Sequence, residues 1–308
     1  MTVTPDSEAT QVIRRSRVTQ ERSEVIAARR VGSFQHLTLV APRVAETAGP
    51  GQLVALAVGD AGAALPLRRL LPIHQVSPSG TYGGTVEVVV QLPLRAAQGA
   101  DRGSEWLARR RPHDHVDVVG PLGRRFPLPA APQHCILVAE GPSGGTLLWL
   151  AALLRARGCR VDMVLGGASE DQLLGVIEAR RRCDETIVTT CDGSAGVRGR
   201  PTDVLPGLLD RSAAAVVYAA GPVDLLRATA AAATRAGAVS MIGLPSRPGC
   251  GIGICLDCVM PVVGNDGLTR AVRVCTEGPV LRGDRVRWDQ LVDGRWQLPP
   301  DVVVPGAP

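Results

Sequence analysis

The chain has 308 residues, of which 45% are hydrophobic and 20% charged, with a formal net charge of +5. This is ordinary globular composition, and the length suffices for two or three domains with buried cores. No stretch approaches the ~20 apolar residues of a membrane span, and the arginine runs at 109–111 and 180–182 favour solvated helix ends over a nucleic-acid surface. The polar first 24 residues lack the apolar core of a secretory signal. We therefore expect a cytoplasmic protein with a disordered polar tail over residues 1–24.

Residues 25–130 contain short apolar or alternating runs, separated by glycine and proline. The runs lie at 34–40, 52–58, 85–92 and 116–119. Short strands at regular spacing with such breaks are typical of an antiparallel barrel or sandwich. The sequence therefore predicts a β-domain over this range.

Residues 131–240 change to an alternation of strands and helices. Strands are predicted over 134–141, 160–168, 185–193 and 214–222, and helices over 146–158, 170–182, 202–211 and 223–237. Such alternation is typical of βαβ units and a parallel, doubly wound α/β sheet. A barrel followed by such a sheet is consistent with a reductase that holds a flavin on the barrel and a nucleotide on the sheet.

Four of the eight cysteines are clustered in the glycine-rich stretch that begins near residue 241. Cys250-x4-Cys255-x2-Cys258 is followed after sixteen residues by Cys275. Structural zinc sites usually pair their ligands in two short hairpins, whereas this 3+1 spacing is that of a plant-type [2Fe–2S] centre. Disulfides are disfavoured in a reducing cytosol. An iron–sulfur site is therefore predicted, with zinc and simple packing as alternatives.

These cysteines and several runs upstream resemble a known family. They are similar, over about residues 25–285, to the electron-transfer subunit of NAD-linked, two-component dihydroorotate dehydrogenase, among the ferredoxin-reductase-like flavoproteins. The resemblance implies a multidomain β + α/β fold. It comprises an FAD-binding antiparallel β-barrel (25–130), a parallel doubly wound α/β sheet of the NAD(P)-binding type (131–240) and a small C-terminal [2Fe–2S] domain with its tail (241–308). Cys250, Cys255, Cys258 and Cys275 would be the cluster ligands.

The resemblance also implies two sets of cofactor contacts. FAD would meet the Arg-x-x-Ser-like run and two later stretches, namely Arg69, Leu70, Leu71, Pro72, Val88, Val89, Val90, Gly103 and Ser104. NAD(P)H would meet Gly141, Gly144, Gly221 and Pro222. Two departures stand out, because Pro72 replaces the hydroxyl-bearing serine and Glu140 brings a negative charge to the nucleotide turn.

The expected function is electron transfer from NAD(P)H through FAD and the [2Fe–2S] cluster to a partner, the FMN-bearing catalytic dihydroorotate dehydrogenase subunit of pyrimidine biosynthesis. This function requires no acid–base or nucleophilic residues. The five histidines (His36, His74, His113, His115 and His134) show no metal or triad spacing and are expected to be structural. The alternatives are a diverged iron–sulfur relay or scaffold that has lost FAD or NAD(P)H binding, and a zinc-stabilised interaction module.

Overall fold

The computed structural model describes residues 18–59, 65–92, 101–245 and 248–303. Its first six strands are β1 (Thr19–Val31), β2 (Phe34–Val40), β3 (Leu53–Leu56), β4 (Arg69–Ser77), β5 (Thr85–Gln91) and β6 (His115–Leu122). They close into an antiparallel barrel in the order β1-β2-β5-β4-β3-β6. Alternate side chains of each strand point inward, so that Val86, Val88 and Val90 of β5 join the barrel core. The predicted barrel is confirmed.

The first strand begins inside the stretch that was expected to be a tail. Residues 19–24 pair with β6 over six consecutive positions, from Thr19 with Gly120 to Glu24 with His115. The polar composition of this stretch concealed a strand, because one face of a barrel strand stays in solvent. The expected tail is therefore too long, and residues 1–17 lie outside the described residues. Two short helices, α1 (Pro42–Thr47) and α2 (Arg102–Ala108), connect barrel strands.

The rest of the described chain forms one large sheet and two small hairpins. Its strands are β7 (His134–Glu140), β8 (Arg160–Gly167), β9 (Glu185–Thr190), β10 (Val197–Arg198), β11 (Val216–Ala220), β12 (Val239–Gly243), β13 (Val259–Val263), β14 (Thr269–Arg273), β15 (Val280–Arg282), β16 (Leu291–Val292) and β17 (Arg295–Trp296). The sheet order is β10-β9-β8-β7-β11-β12-β15, parallel except for β15. Because β15 extends this sheet, the stretch after residue 240 is joined to it by a strand.

Helices cover both faces of this sheet. They are α3 (Gly145–Ala156), α4 (Val176–Arg182), α5 (Pro201–Arg211), α6 (Val223–Arg235) and the short α7 (Val274–Glu277). Leu137 of β7 packs in the core that contains α3, whereas its neighbours Ile136 and Val138 pack in the core that contains α5 and α6. Successive residues of the strand therefore pack into cores on opposite faces of the sheet, which confirms the doubly wound arrangement.

One predicted helix is shorter than expected. The run at 170–182 forms only a 3-10 turn at Glu170–Gln172 before α4 begins at Val176. Gly175 lies between them in a left-handed conformation with φ of +72°, which interrupts right-handed helix geometry. The strand order of the sheet reverses between β7 and β11, as it does in a doubly wound fold. In such folds, ligands bind outside the carboxyl ends of the strands at the point of reversal. Within the described ranges, no helix combines the length and apolar character needed to cross a membrane.

Candidate functional site

The loop between β12 and β13 carries three of the clustered cysteines, and α7 carries the fourth. Gly251 and Gly253 adopt left-handed conformations with φ of +72° and +79°, which glycine reaches without side-chain strain. These turns direct the N–H groups of Ile254 and Cys255 at the Cys250 sulfur, over 3.3 and 3.4 Å. The loop thus curls around a sulfur atom and donates backbone hydrogen bonds to it.

The four cysteines interact electrostatically in two pairs, Cys250 with Cys255 and Cys258 with Cys275. Burial opposes ionisation of Cys250, but backbone N–H groups and the Cys255 thiol together outweigh it and lower the pKa of Cys250 to about 7. The Cys275 thiol donates to the Cys258 sulfur, which lowers the pKa of Cys258 to about 6 and raises that of Cys275. Because the thiolate is the form that binds metal, each pair holds one cysteine prepared for ligation.

The four cysteines fit an iron–sulfur cluster in donor type and number, because thiolates are its usual protein ligands. A [2Fe–2S] centre takes two protein ligands at each of its two irons. The donor set therefore fits that group, and Cys250, Cys255, Cys258 and Cys275 would hold it.

The cysteine loop packs directly on the barrel. The Gly249 N–H donates to the Arg68 carbonyl over 3.3 Å, and Gly251 approaches Leu70 so closely that a Cβ would lie 3.1 Å from a methyl carbon. Cys275 is buried in the same small apolar cluster as Leu70. Because Leu70 also lines a cleft between the barrel and the sheet, one side chain contacts both the cleft and the cysteine region.

This cleft has a volume of about 400 Å³ and lies between the barrel and the carboxyl ends of β7, β8 and β11. Its walls include ten of the thirteen predicted cofactor residues, namely Arg69, Leu70, Leu71, Pro72, Val89, Val90, Ser104, Gly141, Gly221 and Pro222. The barrel and the sheet thus bring the predicted flavin and nucleotide residues together in one cavity.

The other three predicted residues lie behind the cleft walls. Val88 is buried in the barrel core and does not line the cleft. Gly103 packs under the Arg69 guanidinium and Gly144 packs against Ala139, where a Cβ would lie 2.7 Å from the alanine methyl. These three residues support the cleft walls by packing behind them, and none of them forms part of the cleft surface.

The carboxylate of Asp101 is hydrogen-bonded to three of the residues that were predicted to contact FAD. Asp101 caps α2 by accepting from the Gly103 N–H at 3.2 Å and from the Ser104 hydroxyl at 2.5 Å. It also accepts two hydrogen bonds from the Arg69 guanidinium, the one from Nε measuring 2.6 Å. Burial raises the pKa of Asp101, but its hydrogen bonds from Arg69 and Ser104 reverse the effect and lower it overall. An ionised side chain thus engages the donors expected to meet the FAD diphosphate.

The replaced serine of the flavin motif has the consequence expected from the sequence. Pro72 lines the cleft and pairs in register with Leu53, but it offers neither a hydroxyl nor an N–H. The next residue, Ile73, donates its N–H to the Gln52 carbonyl over 2.9 Å. This part of the wall therefore contacts a ligand through apolar surface.

The negative charge of Glu140 is partly balanced by an arginine. The Glu140 carboxylate at the end of β7 lies 3.5 Å from the guanidinium of Arg200, which also pairs with Asp224 at 2.5 Å. Asp224 is in the first turn of α6, as expected for an acidic residue at a helix N-terminus. The nucleotide turn is therefore less repulsive toward phosphate than its sequence suggests.

Sequence reasoning missed several polar residues of the site. Asp101 carried a usable signal, since aspartate before a Gly-Ser helix start is a typical N-cap. Arg200 carried no such signal, because its partners lie 60 and 24 residues away in sequence. His36 and His74, which were expected to be structural, lie outside the cleft, beside each other and beside Glu87 in the barrel wall.

Comparison with known proteins agrees with this geometry. Residues 246–287 match the model of the iron–sulfur cluster binding domain of dihydroorotate dehydrogenase B. A relative from Bacillus caldolyticus, named dihydroorotate dehydrogenase B (NAD(+)), electron transfer subunit, is 36% identical over 278 residues, which cover 89% of this chain and 99% of the relative. The chain belongs to this family of electron transfer subunits.

Other members and structural neighbours of this electron transfer family extend the comparison. The subunit from Desulforamulus reducens is 30% identical, with 81% of this chain and 90% of the relative covered. The solved NADH-dependent reduced ferredoxin-NADP oxidoreductase superposes with a TM-score of 0.74 at 26% identity, covering 88% of this chain and 91% of its own. A ferredoxin reductase of carbazole 1,9a-dioxygenase, at 18% identity and a TM-score of 0.60, shares the fold over 74% of this chain and 69% of its own.

Proposed function

We propose that the chain passes electrons from NAD(P)H, through FAD and a [2Fe–2S] centre, to an FMN-bearing dihydroorotate dehydrogenase-like subunit of pyrimidine biosynthesis. The observation that carries the proposal is the position of Leu70, which lines the cleft and packs with Cys275. FAD takes two electrons as hydride and releases them singly, which suits a place between a nicotinamide and a one-electron cluster. A cleft and a cysteine loop in direct contact provide the short path that this transfer needs.

Apolar residues of the cleft would contact the flavin ring, and charged or backbone groups would contact the phosphates. Leu71, Val89 and Val90 offer an apolar wall that excludes water from a planar ring. Arg69 supplies the positive charge that binds a diphosphate, once its ion pair with Asp101 has opened. On the sheet side, the turn at Gly141 follows β7 and precedes the twelve-residue helix α3, an arrangement that suits nucleotide phosphate.

The surface of the cysteine loop supports docking of the partner there. Ile252, Ile254 and Leu256 are 55%, 74% and 60% exposed, although all three are apolar. Exposed apolar side chains gathered in one place favour a protein interface. A catalytic subunit seated on this loop, in a hetero-oligomer, would exclude water from the cluster and receive its electrons.

This proposal gives each part of the chain a task. Residues 25–130 would bind FAD, residues 131–240 would bind the nicotinamide nucleotide, and residues 241–308 would hold the cluster, with β15 as their connection to the sheet. The cytoplasm suits such a protein because free thiols persist in a reducing compartment. The subunit would act as an NAD(P)H-dependent oxidoreductase.

An anaerobic titration with NADH tests the proposal. The purified chain should show flavin and cluster absorbance that both bleach with NADH, together with the EPR signal of a reduced [2Fe–2S] centre. Electron delivery should then require the dihydroorotate dehydrogenase subunit. A colourless protein that binds zinc at its cysteines would overturn the proposal.

A second candidate follows from the flavin side of the cleft. Asp101 engages the groups expected to hold diphosphate, and Pro72 removes a flavin hydrogen bond. These two features favour a diverged iron–sulfur relay that receives electrons without FAD of its own. It predicts cluster absorbance without flavin bands, and no bleaching with NADH unless an external reductase is added.

A further inference from the structure

The outer wall of the barrel carries a cluster of three metal-ligating side chains. His36 on β2, Glu87 on β5 and His74 on β4 come from adjacent strands. One ring nitrogen of each histidine and one carboxylate oxygen of Glu87 lie within 4.8 Å of one another. None of the three lines the cleft between barrel and sheet. They therefore form a site apart from the electron-transfer route.

The His36–Glu87 pair leaves a ring nitrogen without a partner. His36 Nδ1 lies 2.6 Å from Glu87 Oε1, and the His36 side chain is only 9% exposed. Burial raises the pKa of Glu87, but the hydrogen bond from His36 and nearby positive charge lower it overall. When Nδ1 carries the proton of this hydrogen bond in a neutral imidazole, Nε2 carries the free lone pair. That Nε2 is buried and has no hydrogen-bond partner.

The second histidine has a similar unpartnered atom. His74 Nδ1 is buried without a hydrogen-bond partner, and burial lowers the pKa of this ring. The two imidazoles meet edge to face with centroids 5.5 Å apart. A buried polar atom that lacks a partner costs ~1–3 kcal/mol. Each of these two nitrogens offers a lone pair to a ligand in the tautomer whose proton lies on the other ring nitrogen.

We propose that His36, His74 and Glu87 bind a divalent transition-metal ion, with Zn²⁺ as the representative case. Two imidazoles and one carboxylate are a donor set that zinc accepts, with water in the fourth position. Metal bonds of ~2.0–2.2 Å require donor atoms ~3.3 Å apart, so the 2.6 Å hydrogen bond between His36 and Glu87 must open and the three side chains must turn toward the ion from within the 4.8 Å that encloses them. Glu87 is 26% exposed and provides the access path.

The bound ion would link three strands of the barrel at a place that packs against α3. His74 contacts Gly145, the first residue of α3, closely enough that a Cβ at Gly145 would collide with the ring. The Glu178 carboxylate also acts favourably on a cation at His74, while Arg182 opposes it. A metal held by His74 and by the two neighbouring strands therefore fixes the barrel wall against the start of α3. Zn²⁺ should raise the unfolding midpoint, because it binds only the folded arrangement.

Zinc binding to the full chain tests the site. The protein is first reconstituted with iron and sulfide so that its clustered cysteines are filled, and Zn²⁺ alone is then added while metal content, affinity and thermal unfolding are measured. One additional Zn²⁺ per chain is expected. Glu87→Gln, which keeps the side-chain shape, and His36→Gln should each lower the affinity about 10- to 100-fold and abolish the thermal stabilisation.

Glu24 provides a matched control. It pairs with the exposed His113 at 2.8 Å and belongs to no three-ligand group among the described residues, so Glu24→Gln should bind Zn²⁺ as the wild type does. Zinc held by cysteines would be insensitive to both glutamate variants and would overturn the proposal. Equal losses in Glu24→Gln and Glu87→Gln would overturn it as well. None of these outcomes depends on flavin or NADH, so the proposed electron transfer is tested separately.

Discussion

Replacing Asp101 with asparagine is expected to tighten FAD binding about tenfold, or ~1.4 kcal/mol. The Asp101 carboxylate accepts hydrogen bonds from Arg69, from the Gly103 N–H and from the Ser104 hydroxyl. A diphosphate that enters this part of the cleft meets a negative charge already bound to the groups it needs. Asparagine removes the charge and is an equally good N-cap, so α2 should begin at the same residue.

The size of the effect lies between two limits. Unit charges ~4 Å apart interact by ~4 kcal/mol at an effective dielectric constant of ~20, which is an upper bound for the competition. Exposed ion pairs contribute only ~0–1 kcal/mol, and the side chains of Asp101 and Arg69 are 41% and 11% exposed. A tenfold change falls between these values. It should shrink in ~1 M salt, where the Debye length is ~3 Å.

The assay is a titration of flavin-free protein with FAD, followed by quenching of flavin fluorescence at low and high salt. Asp114→Asn is the matched control, because Asp114 also accepts from a backbone N–H and pairs with Arg110 but does not line the cleft. An unchanged or weaker FAD affinity in Asp101→Asn would refute the competition. Asp101 would then serve to orient Arg69 for the diphosphate.

Three further variants test other parts of the structure. Cys275→Ser should lose most of the bound iron and the cluster absorbance, whereas Cys191→Ser, at an exposed cysteine, should retain both in an iron assay. Arg200→Ala leaves the Glu140 carboxylate without its cation, so a nucleotide titration should show NADH binding about five- to tenfold weaker, or ~1 kcal/mol; unchanged affinity would contradict this role. Burial raises the pKa of Cys135 from 9.0 to about 12, so the unfolded chain loses this thiol proton first. The free energy of unfolding should therefore fall as pH rises from 9 to 12, by up to ~1.4 kcal/mol per pH unit. Denaturant titrations at several pH values should show a smaller decrease with pH in Cys135→Ala.

The order of strands and helices could be predicted well where apolar residues follow a regular period. The run at 34–40 became β2 with the same bounds, and the run at 146–158 became α3 within two residues at its end. Prediction was poorer where a single backbone conformation or a polar face decided the structure. Gly175 interrupted the helix expected over 170–182, and residues 19–24 entered the barrel despite their polar composition.

The spacing of Cys250, Cys255, Cys258 and Cys275 could be read from the sequence, and the first three belong to one short loop whose geometry is local. Ten residues of the cleft lining were also predicted, from contiguous runs that resemble a known family. Which charges meet depends on the tertiary fold. Asp101 reaches Arg69 from 32 residues away, and His36 reaches Glu87 from 51 residues away. Such pairs depend on strand register and on the packing of barrel against sheet, because side chains distant in sequence meet only after the whole fold has formed.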